Sequence, residues 1–250
     1  MHQSKSTMLL DTNPIDSKRV IVALDFDNLN AAMALVDQLN PEECRLKVGK
    51  EMFTLFGPDW VRRLVDEGFD VFLDLKFHDI PNTVAKAVKA ATSLGVWMVN
   101  VHASGGPDMI EAAKDAAMSS HNPSLLTAVT ILTSMDERQF SAVYDENHIA
   151  NKVTELALLA QNSGADGVVC SAKEAILLRQ QVKSTFKLVT PGIRPTGSDV
   201  NDQKRIMTPS DAISSGVDYL VVGRPITQAK EPTNVLSSIN ASIKNIVYEN

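Results

Sequence analysis

Charged residues alternate with apolar ones in Val71-Phe72-Leu73-Asp74-Leu75-Lys76-Phe77-His78-Asp79. An ammonium held among carboxylates can stabilise developing negative charge and then deliver a proton. If the segment is extended, a period of two puts Asp74 and Lys76 on one face and Leu73, Leu75 and Phe77 on the other. Apolar residues packed on helices then leave both charges facing an enclosed interior. Charges are costly there unless paired, and flanking carboxylates keep the lysine protonated. A buried ion pair without a catalytic role is the alternative, but such pairs often add little net stability, so their presence calls for another reason.

A second set of residues suits an anion. Gly192 and Arg194 follow one apolar run, and Gly223 and Arg224 close another. Glycine lets a backbone N–H approach an oxyanion, and Arg224 offers a forked, permanently charged donor. Either arginine alone reads as a surface charge; the matched pair reads as a phosphate site. The polar stretch 196–204 between them has the composition of a mobile lid. His78 and His102 suggest a metal or acid-base role, but no spaced His, Cys and Asp cluster completes a metal shell. Hydrogen-bonding roles are expected for both, and no metal site is assigned.

These residues must be positioned by repeated short elements. Apolar, β-branched runs at 20–26, 45–49, 71–77, 97–102, 125–132, 167–170, 187–189 and 219–223 predict eight strands. Several are continuously hydrophobic, as parallel strands buried on both faces are. Helical patterns fall between them at 29–39, 59–67, 83–94, 108–118, 151–162 and 173–181, with Gly68, Gly95 and Gly164 placed as left-handed C-caps. The alternation without a composition break predicts a single-domain α/β protein, a (β/α)8 TIM barrel over 20–250. A doubly wound sheet is the architectural alternative. In a barrel, the C-terminal ends of the strands carry the chemistry. Asp25, Lys47, Lys50, Asp74, Lys76, Asp79, His102, Thr133, Ser134, Gly192, Arg194, Gly223 and Arg224 all gather at that rim.

Composition narrows the partners. The 250 residues are 44% hydrophobic and 22% charged, with no apolar run approaching a membrane span. Residues 1–19 lack a secretory hydrophobic region and are expected to form a disordered tail on a cytoplasmic protein. The two cysteines, Cys44 and Cys170, sit in separate apolar runs and predict buried thiols, not a disulfide or a zinc site. A net charge of −6 argues against a general binder of nucleic-acid polymer, so a small anion would need a local basic pocket.

The segment Asp74-Leu75-Lys76-Phe77-His78-Asp79-Ile80-Pro81-Asn82-Thr83 resembles the signature of the orotidine 5′-monophosphate decarboxylase family, in its bacterial form. The resemblance continues, in order, through Val22-Ala23-Leu24-Asp25, Lys47-Val48-Gly49-Lys50-Glu51, Leu132-Thr133-Ser134, Thr190-Pro191-Gly192-Ile193-Arg194-Pro195, Asp202-Gln203-Lys204-Arg205 and Val221-Val222-Gly223-Arg224-Pro225-Ile226. It implies conversion of orotidine 5′-monophosphate to uridine 5′-monophosphate and carbon dioxide in de novo pyrimidine biosynthesis, with no metal or organic cofactor. It also implies roles for individual residues. Lys76 stabilises the developing charge and protonates the ring carbon, Asp74 lies beside the departing carboxylate, and Lys47 keeps Asp74 ionised and touches ribose. Asp25 contacts ribose, Thr133 and Ser134 serve the ribose or the pyrimidine amide edge, and Gly192, Arg194, Gly223 and Arg224 take the phosphate. Gln203 folds over phosphate and base. Asp79 and Thr83 reach into the neighbouring site of a homodimer. Related barrels include magnesium-dependent sugar-phosphate decarboxylases and aldol-type synthases, which need an acidic ligand where this chain has Lys47. A non-catalytic nucleotide-sensing barrel is a further alternative.

Overall fold

The computed structural model describes residues 17–144, 148–195, 207–246 and 248. Eight strands, β1 (Val20–Leu24), β2 (Arg45–Gly49), β3 (Val71–Phe77), β4 (Met98–His102), β5 (Leu125–Val129), β6 (Gly167–Val169), β7 (Lys187–Pro191) and β8 (Tyr219–Val222), pair in parallel in sequence order. Pairing of Val20 with Leu220 and of Val22 with Val222 joins the last strand to the first. That closure rules out the doubly wound sheet and makes the molecule a single-domain (β/α)8 TIM barrel.

The helices are α1 (Leu29–Val36), α2 (Lys50–Asp66), α3 (Pro81–Thr92), α4 (Pro107–Met118), α5 (Glu137–Ser141), α6 (Ile149–Asn162), α7 (Ala172–Arg179), α8 (Pro209–Ser214), α9 (Arg224–Thr227) and α10 (Pro232–Ile243). Gly68, Gly95 and Gly164, one or two residues past the C-caps Glu67, Ser93 and Ser163, are left-handed, with φ of 90°, 83° and 84°. α2 is interrupted at Gly57, whose φ of 70° and ψ of −168° are non-helical just before Pro58; the predicted helix from 59 follows that break, and the helical turns before it were not expected. α5, α8, α9 and α10 were not expected. The first three are at most six residues long, and α10 packs Leu236, Ile239 and Ile243 on the outer core.

Strand alternation divides the interior in two. Val20, Val22 and Leu24 of β1 face the helices, with Leu46, Val48 and Leu73, whereas Ile21, Ala23, Phe72, Met98, Val189, Tyr219 and Val221 fill the barrel. The N-terminal end is plugged by Arg45, whose guanidinium lies 4.1 Å from the Trp97 ring centroid and 5.2 Å from that of Tyr219. Of the expected tail, residues 1–16 lie outside the described residues. Its end is anchored to this plug: Lys18 pairs with Asp70 at 2.8 Å, and Arg19 donates to the carbonyls of Val217, Asp218 and Ile246 at 2.7, 3.1 and 3.3 Å. Cys44 and Cys170 are free and buried, and burial pushes both thiols up to about 12. Among the described residues, no helix is long and apolar enough to cross a membrane. With one end closed by these contacts, the chemistry is left to the opposite rim.

Candidate active site

β3 does not keep a simple strand period through its functional end. Leu73 pairs with Val99 and Phe77 with Val101, so four steps on β3 span two on β4. The surplus is taken up in a bulge, where Lys76 adopts φ 53°, the single left-handed non-glycine conformation among the described residues. Leu73, Leu75 and Phe77 still pack toward the outer core, as alternation predicts. The Lys76 ammonium reaches the interior through the bulge, not through an unbroken pleat.

There it meets Asp74, Nζ to Oδ1 at 2.5 Å. Lys47, in the middle of β2, approaches the other carboxylate oxygen at 3.3 Å and lies 3.7 Å from Asp25 Oδ1. Asn100, fully buried on β4, donates from Nδ2 to Asp74 Oδ1 at 2.7 Å and accepts the Lys76 backbone N–H at 2.8 Å. Burial alone would raise the Asp74 pKa, but Lys47, Lys76 and the Asn100 amide outweigh it and hold the carboxyl below its ordinary range. Asp74 is only 8% exposed, yet it is ionised and fully partnered. Asn100 was absent from the candidates read in the sequence. Its one signal there is an amide in the middle of the apolar run Met98-Val99-Asn100-Val101.

The Lys-Asp-Lys array forms one side of an open cleft. Phe72, Val169, Pro191 and Val221 supply an apolar wall, and Ile131 and Thr133 border it from the segment after β5. A flat ring of mixed polarity fits such a space: one edge meets charge and the faces meet hydrocarbon. Ser134 is exposed beside Thr133, and Asp25, with 67% of its side chain exposed, stands at the mouth.

The basic pair lies after β7 and β8. Arg194 is 6% exposed, its backbone N–H donates to the Met207 carbonyl at 3.1 Å, and its Nη1 donates to the Ile193 carbonyl at 3.2 Å. Its Nε is buried with no hydrogen-bond partner among the described residues. Burial and the neighbouring positive charge of Arg224 push the Arg194 pKa below that of a free guanidinium. An anion would remove both penalties at once. Gly192 takes φ 81°, a conformation strained for any residue with a Cβ, and Gly223 precedes the half-buried Arg224. Gln203 and the expected lid at 196–204 lie outside the described residues.

Not every candidate converges within the chain. Asp79 and Thr83 are exposed; the Asp79 carboxylate accepts from the Ile80 N–H at 2.7 Å and forms no ion pair among the described residues. Ile80 between them is 66% exposed. The His78 and His102 rings lie 5.4 Å apart, and burial, then His78, Lys50 and Lys76, lowers the His102 pKa. Among the described residues, no group of three or more His, Cys, Asp and Glu side chains is arranged to hold a metal ion.

A closed barrel with an ion-paired lysine array and a basic pair after its last two strands has the architecture of a barrel enzyme. The sequence profile of the Orotidine 5'-phosphate decarboxylase / HUMPS family matches residues 18–239. Orotidine 5'-phosphate decarboxylase of Pseudoalteromonas translucida is 60% identical over 229 residues, covering 91% of this chain and 98% of the relative. That of Vibrio cholerae (strain O395) is 59% identical over 231 residues, covering 92% and 100%. The crystal structure of orotidine 5'-phosphate decarboxylase from Lactobacillus acidophilus matches with a TM-score of 0.82 at 38% identity, covering 92% of this chain and all of that one. The chain belongs to the orotidine 5′-phosphate decarboxylase / HUMPS family.

Proposed function

We propose that this protein converts orotidine 5′-monophosphate to uridine 5′-monophosphate and carbon dioxide, as a cytoplasmic enzyme of de novo pyrimidine biosynthesis that needs no metal or organic cofactor. The observation that carries this reading is the Lys76–Asp74–Lys47 array at 2.5 and 3.3 Å beside an apolar-walled cleft. Loss of carbon dioxide breaks the bond from the ring carbon to the carboxylate and leaves the electron pair on that carbon, in the ring plane and outside the π system. The ammonium of Lys76 stabilises the pair as it forms, then transfers a proton to the same carbon; solvent restores the lysine. Its contact with Asp74 orients it before the substrate arrives, so little reorganisation accompanies the reaction. Asp74 sits beside the substrate carboxylate, where repulsion diminishes as the carboxylate departs.

Lys47 and Asp25 serve the ribose, Thr133 and Ser134 the ribose or the amide edge of the base, and Gly192, Arg194, Gly223, Arg224 and Gln203 the phosphate. The buried Arg194 Nε, without a hydrogen-bond partner among the described residues, supports the phosphate assignment, and binding energy gained there supports chemistry at the distant base. Lys47 of β2 stands where a magnesium-using relative requires an acidic ligand, and its ammonium would repel the metal.

Two copies complete the site, each lending Asp79 and Thr83 to the other; the exposure of both residues beside Ile80 supports this. The test is loss of orotidine 5′-monophosphate absorbance with excess chelator present. Turnover that persists is expected, and none from well-folded protein overturns the proposal. Mixing inactive Lys76→Ala and Asp79→Ala proteins should restore about a quarter of the wild-type activity, because each mixed dimer then holds one site free of both lesions. No recovery after demonstrated subunit exchange refutes the shared site.

A further inference from the structure

We propose that Asn100 is the positioning residue of the lysine array: its amide ties the β3 bulge to the Asp74 carboxylate and so aims Lys76 into the cleft. The inference rests on the decarboxylase reading and adds a residue to it. The bulge takes Lys76 out of the regular ladder with β4, and its N–H finds the Asn100 side-chain oxygen at 2.8 Å in place of a strand carbonyl. The other end of the same amide donates to Asp74 Oδ1 at 2.7 Å, the oxygen that also receives the Lys76 ammonium at 2.5 Å. The orientation of the amide is dictated by its partners, since only its oxygen can accept an N–H and only its NH2 can donate to a carboxylate. One fully buried side chain thereby fixes both the backbone that carries the ammonium and the carboxylate that holds it. A hydrocarbon of the same size could fill the space but make neither bond.

The groups facing position 100 are Asp74 and Lys76 on β3, Lys47 from β2 and His102 on β4 itself, with His78 and Lys50 beyond it; its partner on β5, Thr127, does not titrate. In Asn100→Asp, the protonated acid reproduces the amide's pattern, with O–H donating to Asp74 and C=O accepting from Lys76. Ionised, it sets one carboxylate against another. Burial and Asp74 favour the protonated form, and the lysines oppose them. The variant should retain activity at low pH and lose it as pH rises.

The experiment measures kcat and KM for orotidine 5′-monophosphate with the full-length protein, Asn100→Leu and Asn100→Asp, from about pH 5 to pH 9 so as to span the titration of the introduced carboxyl. For Asn100→Leu, kcat should fall roughly 10- to 100-fold with little change in KM, the loss set by hydrogen bonds to charged groups. For Asn100→Asp, the ratio of its kcat to wild type should fall about tenfold or more with rising pH, reversibly; this reading stands even if the leucine variant fails to fold. A pH-independent ratio, or a folded leucine variant within about twofold of wild-type kcat, overturns the proposal. Absent turnover in the wild-type protein refutes the decarboxylase reading itself, which separates the two failures.

Discussion

Replacing Lys76 with alanine removes the ammonium from the cleft and little else. Asp74 keeps Lys47 at 3.3 Å and Asn100 at 2.7 Å, so no charge is left both buried and unpartnered. Leu75 and Phe77 hold the strand end through the outer core, and the Lys76 side chain is already 25% exposed. The cost in folding stability should be about 1 kcal/mol or less, as for a partly solvated pair. The cost in rate should be far larger. A unit charge about 4 Å from the developing carbanion contributes roughly 4 kcal/mol at an effective dielectric near 20, about a thousandfold in rate. Loss of the positioned proton donor removes a further factor of about 10² to 10⁴. The variant's kcat should fall by about 10⁵ or more in the absorbance assay. Calorimetric affinity for uridine 5′-monophosphate should stay within about tenfold of wild type, because the basic pair at Arg194 and Arg224 is untouched. Turnover within about a hundredfold of wild type, from a protein that melts normally, refutes the central role of Lys76.

The phosphate assignment predicts that Arg224→Ala lowers kcat/KM for orotidine 5′-monophosphate by roughly 10- to 100-fold, the worth of a charge-assisted hydrogen bond. Turnover of unphosphorylated orotidine should be unaffected, and an equal loss on both substrates counts against the assignment. Inorganic phosphate should raise Tm in wild type more than in Arg194→Leu, since only the former gains a partner for the buried guanidinium. Acid stability follows from Asp74. Its folded pKa lies below the unfolded value of about 4, so its stabilisation is present above that value and is lost as pH falls through the folded pKa. Denaturant unfolding of wild type and Asp74→Asn at descending pH should show the wild type losing more stability below about pH 4; parallel losses would show that Asp74 is not held ionised.

The barrel was legible because its strands are buried on both faces. An enclosed parallel strand cannot alternate polar residues outward, so β1, β4 and β8 stand out as apolar runs in the sequence. Helices after the strands were legible where an amphipathic face repeats over several turns, as in α3 and α6, each closed by a glycine. α5, α8 and α9 are too short to show that period. The starts of α5 and α8 are satisfied locally: Asp136 caps Gln139 reciprocally, and the Thr208 hydroxyl accepts from the Asp211 N–H. Gly57-Pro58 breaks α2, as such a pair does, so the helix read from the sequence begins just after it and the short helical turns before it went unread.

At the site, residue type carried more than geometry did. Charge at strand ends could be read off directly, but alternation placed Asp74 and Lys76 together for an incomplete reason. A regular pleat sets neighbours on one face at a fixed spacing with side chains roughly parallel; it does not turn an ammonium back to within 2.5 Å of the carboxylate two residues earlier. That contact depends on the bulge, and the bulge depends on a partner for the N–H it frees. The partner comes from β4, 24 residues further along, and its side chain is a neutral amide. A search for titratable groups passes over it. Where a backbone leaves its ladder inside a core, the freed N–H requires an acceptor, so the residue opposite the irregularity is the place to look for whatever fixes the functional group. Asn100 and Lys76 are then one device, a conformation and the bond that maintains it, and substitution at either position should disturb the same step of the reaction.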